Sequence, residues 1–283
     1  MVQDISCPYC NAQSFVYNDS DTEMFLCHGC QRNQPYQKVK QYVSNTNDRK
    51  RGSGDITTIT VSVNHNNLLL SCKSLASLEP DHIAVSFVRH RSIPDGTFHD
   101  LYYTESLGQL VNSYGYEFKD GQPKLIIPFR DKDGKLFGLQ ARSLDDAQPK
   151  YLTVLFDKEK DKIFGLDRWN KNETTIVVEG PIDSFFLKNS LAMAGSDIGK
   201  NKYLEAKKDI VLCLDNEPRN AVIVSKYLKF IKEGYSIVLW PDYVVDKDIN
   251  DMVLNGLNPQ EIIDTHSFSG PKAQIKLNSW KKV

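Results

Sequence analysis

The sequence predicts a mixed α/β protein in which a small N-terminal β domain precedes a larger core built on a mostly parallel sheet. Two observations support this fold class. Four cysteines fall in two Cys-x2-Cys pairs within residues 1–30, and after about residue 173 short apolar runs alternate with amphipathic helical patterns. Strands that alternate with helices favour a parallel sheet with right-handed crossover connections.

The chain divides into three predicted segments. We expect the small β domain over residues 1–41, a flexible linker over 42–58 and the core over 59–283. The linker is rich in Asn, Ser, Gly and charged residues, a composition typical of flexible chain. Within the core, we expect an N-terminal subdomain at about 59–172, the parallel sheet at about 173–265 and a C-terminal tail.

The paired cysteines have the spacing of a metal site. They are Cys7, Cys10, Cys27 and Cys30. Two residues between thiolates let both sulfurs face one tetrahedral centre, and the spacer between the pairs suits a hairpin with strands over 12–18 and 22–27. We therefore predict a zinc ribbon with one structural Zn²⁺; disulfides are the disfavoured alternative. Nearby aromatic and basic residues could contact nucleic acid or could simply form the ribbon's core and surface.

The overall charge argues against a uniformly basic nucleic-acid-binding protein. The formal net charge is −1 at pH 7, so contact with nucleic acid would need local patches or metal ions. No uninterrupted apolar stretch is long enough to span a bilayer, and the N-terminus lacks the apolar region of a signal peptide. We expect a cytoplasmic protein with no membrane partner.

Acidic residues follow the strands of the predicted parallel sheet. Glu179 follows the run TTIVV, Asp215 and Glu217 follow IVLCL, and Asp242 follows SIVLWP. Because the carboxyl ends of parallel strands share one edge, we expect these acids to meet there. Crowded carboxylates raise one another's pKa, and a hard cation such as Mg²⁺ or Mn²⁺ relieves the repulsion. Exposed loop carboxylates are the alternative interpretation, which fits any one acid better than several strand ends at once.

Several segments carry a resemblance to a known family. VVEGPID followed by CLDNE resembles the Toprim fold, which occurs in primases, topoisomerases, some nucleases and recombination factors. Residues 125–153, LIIPFRDKDGKLFGLQARSLDDAQPKYLT, resemble the catalytic core of bacterial and phage DNA primases. HIAVSFVRHRSI at 82–93, KIFGLDRW at 162–169 and KDINDMVLNG at 247–256 are similar to further primase segments. The resemblance keeps the family's domain order and is closest to the separate primases of T4-like phages.

The resemblance implies which acids are catalytic. Glu179, Asp215 and Glu217 would hold the magnesium or manganese ions, and Asp183 would assist them. Asp248 is a weaker candidate. The family's usual acid pair is Asp-x-Asp, whereas this chain has Asp215-Asn216-Glu217, which places the geometry of the third ligand in question.

The resemblance also implies which basic residues bind nucleotide or DNA. They are Arg130, Arg142, Lys150 and Lys247. Arginine suits this role because its planar fork can hold phosphate oxygens bidentately. Taken without the resemblance, each basic residue is more often part of a solvated surface. Arg89 and Arg91 are further candidates with less support.

These features together predict a DNA primase that makes RNA primers on a single-stranded DNA template from ribonucleoside triphosphates. The sequence has no G-x-x-x-x-G-K-[ST] phosphate loop, so we expect a separate hexameric helicase as partner. If the gene is carried by a phage, the protein would act in the host cytoplasm. A Toprim nuclease and a non-catalytic zinc-ribbon DNA-binding factor are the alternative functions.

Overall fold

The computed structural model describes the strand residues 3–6, 13–19, 22–27 and 33–35, followed by 65–145, 147–195, 202–204 and 207–283. The chain separates into two compact units. The smaller unit contains Met1–Asn64 and Ser106–Asp120, and the larger unit contains His65–Glu105 and Gly121–Val283. The predicted boundaries at residues 41 and 58 lie outside the described residues.

The smaller unit contains a four-stranded antiparallel sheet. Its strands, in spatial as well as sequence order, are β1 (Gln3–Ser6), β2 (Gln13–Asp19), β3 (Thr22–Cys27) and β4 (Asn33–Pro35). The β2–β3 pair runs in register from Ser14 opposite Cys27 to Asp19 opposite Thr22. This is the hairpin that the spacer between the cysteine pairs predicted.

The larger unit begins with a five-stranded antiparallel sheet. Its strands, again in sequence order, are β5 (Lys73–Ser74), β6 (Tyr102–Thr104), β7 (Lys124–Arg130), β8 (Leu136–Ser143) and β9 (Tyr151–Leu155). Helix α1 (Ile83–His90) lies between β5 and β6 in the chain, and α2 (Leu107–Val111) belongs to the smaller unit. A tight turn joins β7 to β8, where Asp131 Oδ1 accepts the backbone N–H of Asp133 and of Lys135, each at 3.0 Å.

The second sheet of the larger unit is the mostly parallel one that the sequence predicts. Its spatial order is β11 (Ser190–Ala192), β10 (Thr175–Val178), β12 (Ile210–Leu212), β13 (Ser236–Val238) and β14 (Ser267–Phe268). The first four strands are parallel and β14 is antiparallel. The associated helices are α3 (Pro181–Ser184), α4 (Ala221–Glu233), α5 (Ile249–Leu254), α6 (Pro259–His266) and α7 (Gly270–Trp280).

Helix α4 shows how the sequence sets the element boundaries. Asn220 caps its N-terminus by accepting the backbone N–H of Val222 at 3.0 Å. Gly234 ends the helix with φ of 92°, a left-handed conformation that favours glycine. The buried face includes Ile223, Tyr227 and Phe230, so the 3.6-residue periodicity of the sequence matches the packing.

Two predicted helices are shorter than expected. The segment GPIDSFFLKNS at 180–190 predicts a helix, but α3 is a single turn over Pro181–Ser184. The segment NKYLEAKK at 201–208 also predicts a helix; its described residues form 3-10 turns at Lys202–Leu204 and Lys207–Asp209, and residues 201, 205 and 206 lie outside the described part of the chain. Conversely, the predicted C-terminal tail contains β14 and α7, and Ala273 and Leu277 of α7 are fully buried.

Both sheets of the larger unit contribute to one hydrophobic core. Side chains from β7 and β8, such as Phe129 and Phe137, belong to the same cluster as Val177 and Leu212 of the parallel sheet. The core therefore fixes the polar ends of the parallel strands next to the antiparallel sheet. Among the described residues, the helices are all too short or too polar to cross a membrane.

Candidate active site

Four acids meet at the carboxyl edge of the parallel sheet, and we call this group the acidic edge: Glu179, Asp183, Asp215 and Asp248. All four line one small cavity. Glu179 follows β10 directly, Asp183 lies on α3, Asp215 follows β12, and Asp248 caps α5 by accepting the backbone N–H of Asp251 at 2.8 Å. The prediction that acids from separate strand ends come together is confirmed for Glu179 and Asp215.

The backbone around Asp215 is held from both sides. The indole N–H of Trp240 donates to the carbonyl of Leu214 at 3.1 Å. The side-chain amide of Asn216 donates to the carbonyls of Val244 at 2.9 Å and Asp246 at 3.1 Å. The middle residue of the Asp-Asn-Glu triplet therefore ties the β12 loop to the segment that leads to Asp248.

The crowding of these acids raises their pKa values. Burial raises the pKa of Asp183 to about 7, with further contributions from the negative charges of Asp248 and Asp215. Burial, followed by the charge of Glu179, raises the pKa of Asp215 to about 6. Gly180 lets the Asp183 carboxyl group lie close to the backbone that follows Glu179, because a Cβ on residue 180 would stand 3.1 Å from Asp183 Oδ2.

Two lysines supply positive charge at the acidic edge. Lys226 Nζ lies 3.0 Å from Glu179 Oε1, and Lys247 Nζ lies 3.7 Å from Asp215 Oδ2. Lys247 also lies 3.1 Å from Glu217 Oε1. These ion pairs are partly exposed, so each contributes at most about 1 kcal/mol to stability.

Glu217 is the predicted ligand that the structure does not bring into the acidic edge. Its Oε2 accepts the side-chain amide of Asn220 at 2.9 Å, and this bond together with the Lys247 ammonium lowers the pKa of Glu217. The side chain lines a separate open cleft of about 830 Å³ that also contains Arg219 and Lys282. Asp183 and Asp248, and not Glu217, line the small cavity with Glu179 and Asp215.

The donor set of the acidic edge fits a divalent cation. Carboxylate oxygens are the ligands that Mg²⁺ and Mn²⁺ prefer, and the raised pKa values show that the cluster is short of positive charge. Within the ranges that the structure describes, however, no three His, Cys, Asp or Glu side chains are already arranged as a metal-binding group. Cys7, Cys10 and Cys30 lie outside the described residues, and of Cys27 only the backbone, at the end of β3, is described.

A cleft of about 410 Å³ separates the acidic edge from the antiparallel sheet. Four acids line it on one side: Glu179, Asp183, Asp215 and Asp248. Gln140 of β8 and Tyr151 and Thr153 of β9 line it on the other. The sequence did not predict a site role for these three polar residues, although Tyr151 and Thr153 stand at alternate positions of β9, which is the pattern of one face of a sheet.

Arg142, a predicted phosphate-binding residue, lies beside this cleft. It is only 5% exposed, and its guanidinium stacks 4.3 Å from the centre of the Tyr151 ring. Burial lowers the pKa of Arg142, and the charge of Arg91 lowers it further. The aromatic contact fixes the arginine without neutralising it.

Arg91 connects α1 to the acidic edge. Its Nη1 donates to Asn250 Oδ1 at 2.6 Å, and Asn250 Nδ2 donates back to the Arg91 carbonyl at 2.7 Å. The backbone N–H of Asn250 donates to Asp183 Oδ1 at 3.2 Å. Arg91 thus supports Asp183 through the buried side chain and backbone of Asn250.

The remaining predicted basic residues lie elsewhere. Arg130 donates to the carbonyl of Gly134 at 3.1 Å and lines a different cleft, of about 290 Å³, with Asp100 and Arg168. Lys150 is exposed just before β9. The structure therefore brings Arg142 and Lys247, but not Arg130, to the surroundings of the acidic edge.

Comparison with known proteins gives this arrangement a context. No family model matches the chain. The DNA primase of Enterobacteria phage T4 is 32% identical over 224 residues, which cover 76% of this chain and 65% of the phage protein. Over the aligned residues the chain is similar in sequence to DNA primases. The DNA primase of Buchnera aphidicola is 31% identical over 150 residues, which cover 45% of this chain. The chain thus spans less than two thirds of these primases, 65% of the first and 26% of the second.

Solved primase structures share the fold. The RNA polymerase domain of Mycobacterium tuberculosis primase DnaG superimposes with a TM-score of 0.55 at 17% identity, covering 76% of this chain and 85% of that one. The zinc-binding and RNA polymerase domains of Aquifex aeolicus primase give 0.51 at 19% identity, covering 99% and 80%. A DnaG catalytic domain solved with single-stranded DNA gives 0.54 at 14% identity, covering 76% and 80%. The described part of the chain therefore has the mixed α/β fold of primase cores.

Proposed function

We propose that the chain is a DNA primase, which synthesises short RNA primers on a single-stranded DNA template. The observation that carries this proposal is the convergence of four acids on a cleft whose opposite wall is polar, in a chain similar in sequence to DNA primases. Primer synthesis joins ribonucleotides: the 3′ oxygen of one attacks the α-phosphate of the next, and pyrophosphate leaves. The reaction needs carboxylates to hold cations and positive groups to hold phosphates.

The acidic edge would hold Mg²⁺ or Mn²⁺ through Glu179, Asp183, Asp215 and Asp248. A divalent cation there neutralises phosphate charge and favours ionisation of the attacking hydroxyl. Before a cation binds, Asp183 and Asp215 retain protons to higher pH than ordinary carboxyl groups, which limits their mutual repulsion. Glu217 would join the ligands only by exchanging its contacts with Asn220 and Lys247, through rotation of its side chain.

The basic residues would bind nucleotide and template. Arg142 is buried beside the cleft and suits one fixed phosphate, whereas Lys247 is 57% exposed and suits a phosphate that arrives from solvent. Arg130, which lines a different cleft, and Lys150, which is exposed next to Tyr151, suit the template strand. These roles rest on position and charge together with the resemblance to primases.

The domain proposal combines a zinc ribbon with a Toprim core. The Cys-x2-Cys pairs and the β2–β3 hairpin between them support a ribbon over 1–41 that holds one structural Zn²⁺. The four parallel strands with acids at their carboxyl edge support a Toprim fold over about 173–265. The 17-residue linker 42–58 would reach roughly 20–25 Å as a random coil and could present template bound by the ribbon. We further propose that the protein works with a separate hexameric helicase and acts in the cytoplasm.

One assay separates primer synthesis from the nuclease and binding-factor alternatives. The protein is incubated with circular single-stranded DNA, Mg²⁺ and labelled ribonucleotides. We expect short RNA products that disappear in Glu179→Gln. Nicked or shortened DNA without RNA would favour the nuclease, and DNA binding without either product would favour the binding factor.

A further inference from the structure

Unpaired buried polar atoms are concentrated at one place beside the cleft. Among the buried side chains of the described residues, three polar atoms have no hydrogen-bond partner: Gln140 Oε1, Arg142 Nε and Arg142 Nη1. Gln140 is 6% exposed and Arg142 is 5% exposed. Folded proteins pair nearly all such atoms, so a cluster of exceptions next to a cleft marks groups that a ligand would pair.

Strand register places these atoms in a compact block. Gln140 lies opposite Thr153, and Arg142 lies opposite Tyr151, in the antiparallel β8–β9 pair. Residues two apart on a strand share a face, so the four side chains form a two-by-two block on one face of the sheet. Gln140, Tyr151 and Thr153 line the 410 Å³ cleft directly opposite the acidic edge.

The orientation of the Gln140 amide determines what it can recognise. Its Nε2 donates to Thr153 Oγ1 at 3.2 Å, which leaves the carbonyl Oε1 as the unpaired end. A carbonyl oxygen accepts hydrogen bonds and cannot donate them. A ligand that pairs this oxygen therefore offers an O–H or N–H group or a cation, and an ionised phosphate oxygen, which only accepts, cannot pair it. Arg142, with two unpaired guanidinium nitrogen atoms, has the opposite preference and suits phosphate or carbonyl oxygen.

The chemistry of the proposed reaction identifies the donor; this step rests on the proposed primase function. A primase uses four different bases at one site, so a fixed amide cannot depend on the edge of any one base. Phosphates and ribose hydroxyls are common to all four nucleotides, and only the hydroxyls can donate. The interior of a DNA template offers no free sugar hydroxyl, because its 3′ oxygens are esterified and its 2′ positions carry hydrogen.

We propose that Gln140 is a specificity-determining residue that accepts a hydrogen bond from a ribose hydroxyl of the bound nucleotide, with Thr153 orienting its amide. The ribose then lies against β8 and β9 while its phosphates extend towards Arg142 and the acidic edge. A nucleotide that lacks the hydroxyl leaves the buried carbonyl unpaired and binds less tightly.

The test is equilibrium binding of ATP, 2′-deoxy-ATP and 3′-deoxy-ATP to the full chain in the presence of Mg²⁺. The wild-type protein should bind at least one deoxynucleotide about tenfold or more weakly than ATP, the loss expected for one unmade hydrogen bond to a buried group. Gln140→Met keeps the length of the side chain and removes the carbonyl. Gln140→Met should weaken ATP binding and bring the ratio of deoxynucleotide Kd to ATP Kd close to one.

Two further variants separate recognition from general damage. Thr153→Val removes the partner of the Gln140 amide and should reduce the same ratio, with a smaller loss of ATP affinity. Gln274→Leu changes an exposed glutamine on α7 and should leave all three affinities unchanged. Thermal unfolding of each variant verifies that the protein is folded.

The outcomes are distinct. The proposal is supported if Gln140→Met binds ATP and the deoxynucleotides with similar affinity. The deoxynucleotide that wild type binds weakly and Gln140→Met does not discriminate against identifies the hydroxyl that bonds to Gln140. Unchanged ratios in Gln140→Met, equal losses for all three nucleotides, or weakened binding of single-stranded DNA alone would each overturn it. Failure of the primase proposal is recognised separately, because RNA synthesis would then be absent while the nucleotide ratios still report on Gln140.

Discussion

Replacing Asp183 by asparagine tests whether the acidic edge is a cluster of buried, mutually repelling carboxyl groups. The asparagine keeps a side-chain carbonyl to accept the backbone N–H of Asn250, which Asp183 Oδ1 accepts at 3.2 Å. It removes the carboxyl group whose pKa rises to about 7 from an ordinary value of 3.8. The substitution therefore removes one titration while keeping the principal contact.

The expected effect follows from proton linkage. Between pH 3.8 and about 7 the folded wild-type protein holds a proton on Asp183 that the unfolded chain has released, so its stability falls as the pH rises. Each pH unit within that window corresponds to about 1.4 kcal/mol at most. From pH 5 to pH 8, Asp183→Asn should gain on the order of 2–3 kcal/mol of unfolding free energy relative to wild type.

The assay is urea unfolding at pH 5, 6, 7 and 8 in magnesium-free buffer. The quantity compared is the difference in unfolding free energy between variant and wild type, followed as a function of pH. Any effect of the asparagine side chain that does not depend on pH therefore cancels. Asp242→Asn, which changes a carboxylate whose side chain is 97% exposed, is the matched control and should show little pH-dependent difference. A difference between Asp183→Asn and wild type that stays constant from pH 5 to pH 8 would refute the electrostatic account of the site.

Three other predictions follow from individual contacts. A double-mutant cycle on Arg91→Met and Asn250→Leu should give a coupling energy of about 1–2 kcal/mol in urea unfolding, because the Arg91 guanidinium donates to the side-chain carbonyl of Asn250; additive effects would contradict the pairing. Lys247→Met should tighten Mg²⁺ binding up to about fivefold in titration calorimetry, because its ammonium competes with the cation for carboxylates, and an unchanged affinity would argue against that competition. Cys27→Ser should release zinc, measured by metal analysis, and should abolish template-dependent initiation; initiation with unchanged start sites would show that the ribbon has another role.

The fold class and part of the site could be predicted from the sequence, because they depend on the pattern of neighbouring residues. Apolar runs that end in Glu179 and Asp215 predicted both the strands and the edge at which their acids meet. The two ends of α4 could also be predicted, because Asn220 and Gly234 cap the helix through local contacts. Asp183 could be anticipated from its place one turn into the helix that follows Glu179.

Features that depend on contacts distant in sequence were not predictable in the same way. The Arg91–Asn250 pair joins positions 159 residues apart, and neither residue type indicates its partner. Gln140 sits within a strand whose residues are all buried, so its run suggested only a core strand. Glu217 was expected to join the other acids, but it bonds to Asn220 at the start of α4 and shares Lys247 with Asp215, and it does not line the small cavity of the acidic edge.

The central claim is that the acidic edge carries out RNA synthesis on a DNA template, and the most direct measurement is the rate of that synthesis in Asp215→Asn. Wild type and variant are compared on the same single-stranded DNA with labelled ribonucleotides and saturating Mg²⁺. We predict RNA products from the wild type and a loss of at least about a hundredfold in the variant, the size expected when a group that stabilises transition-state charge is removed. RNA synthesis that survives in Asp215→Asn within a few-fold of the wild-type rate would contradict the account.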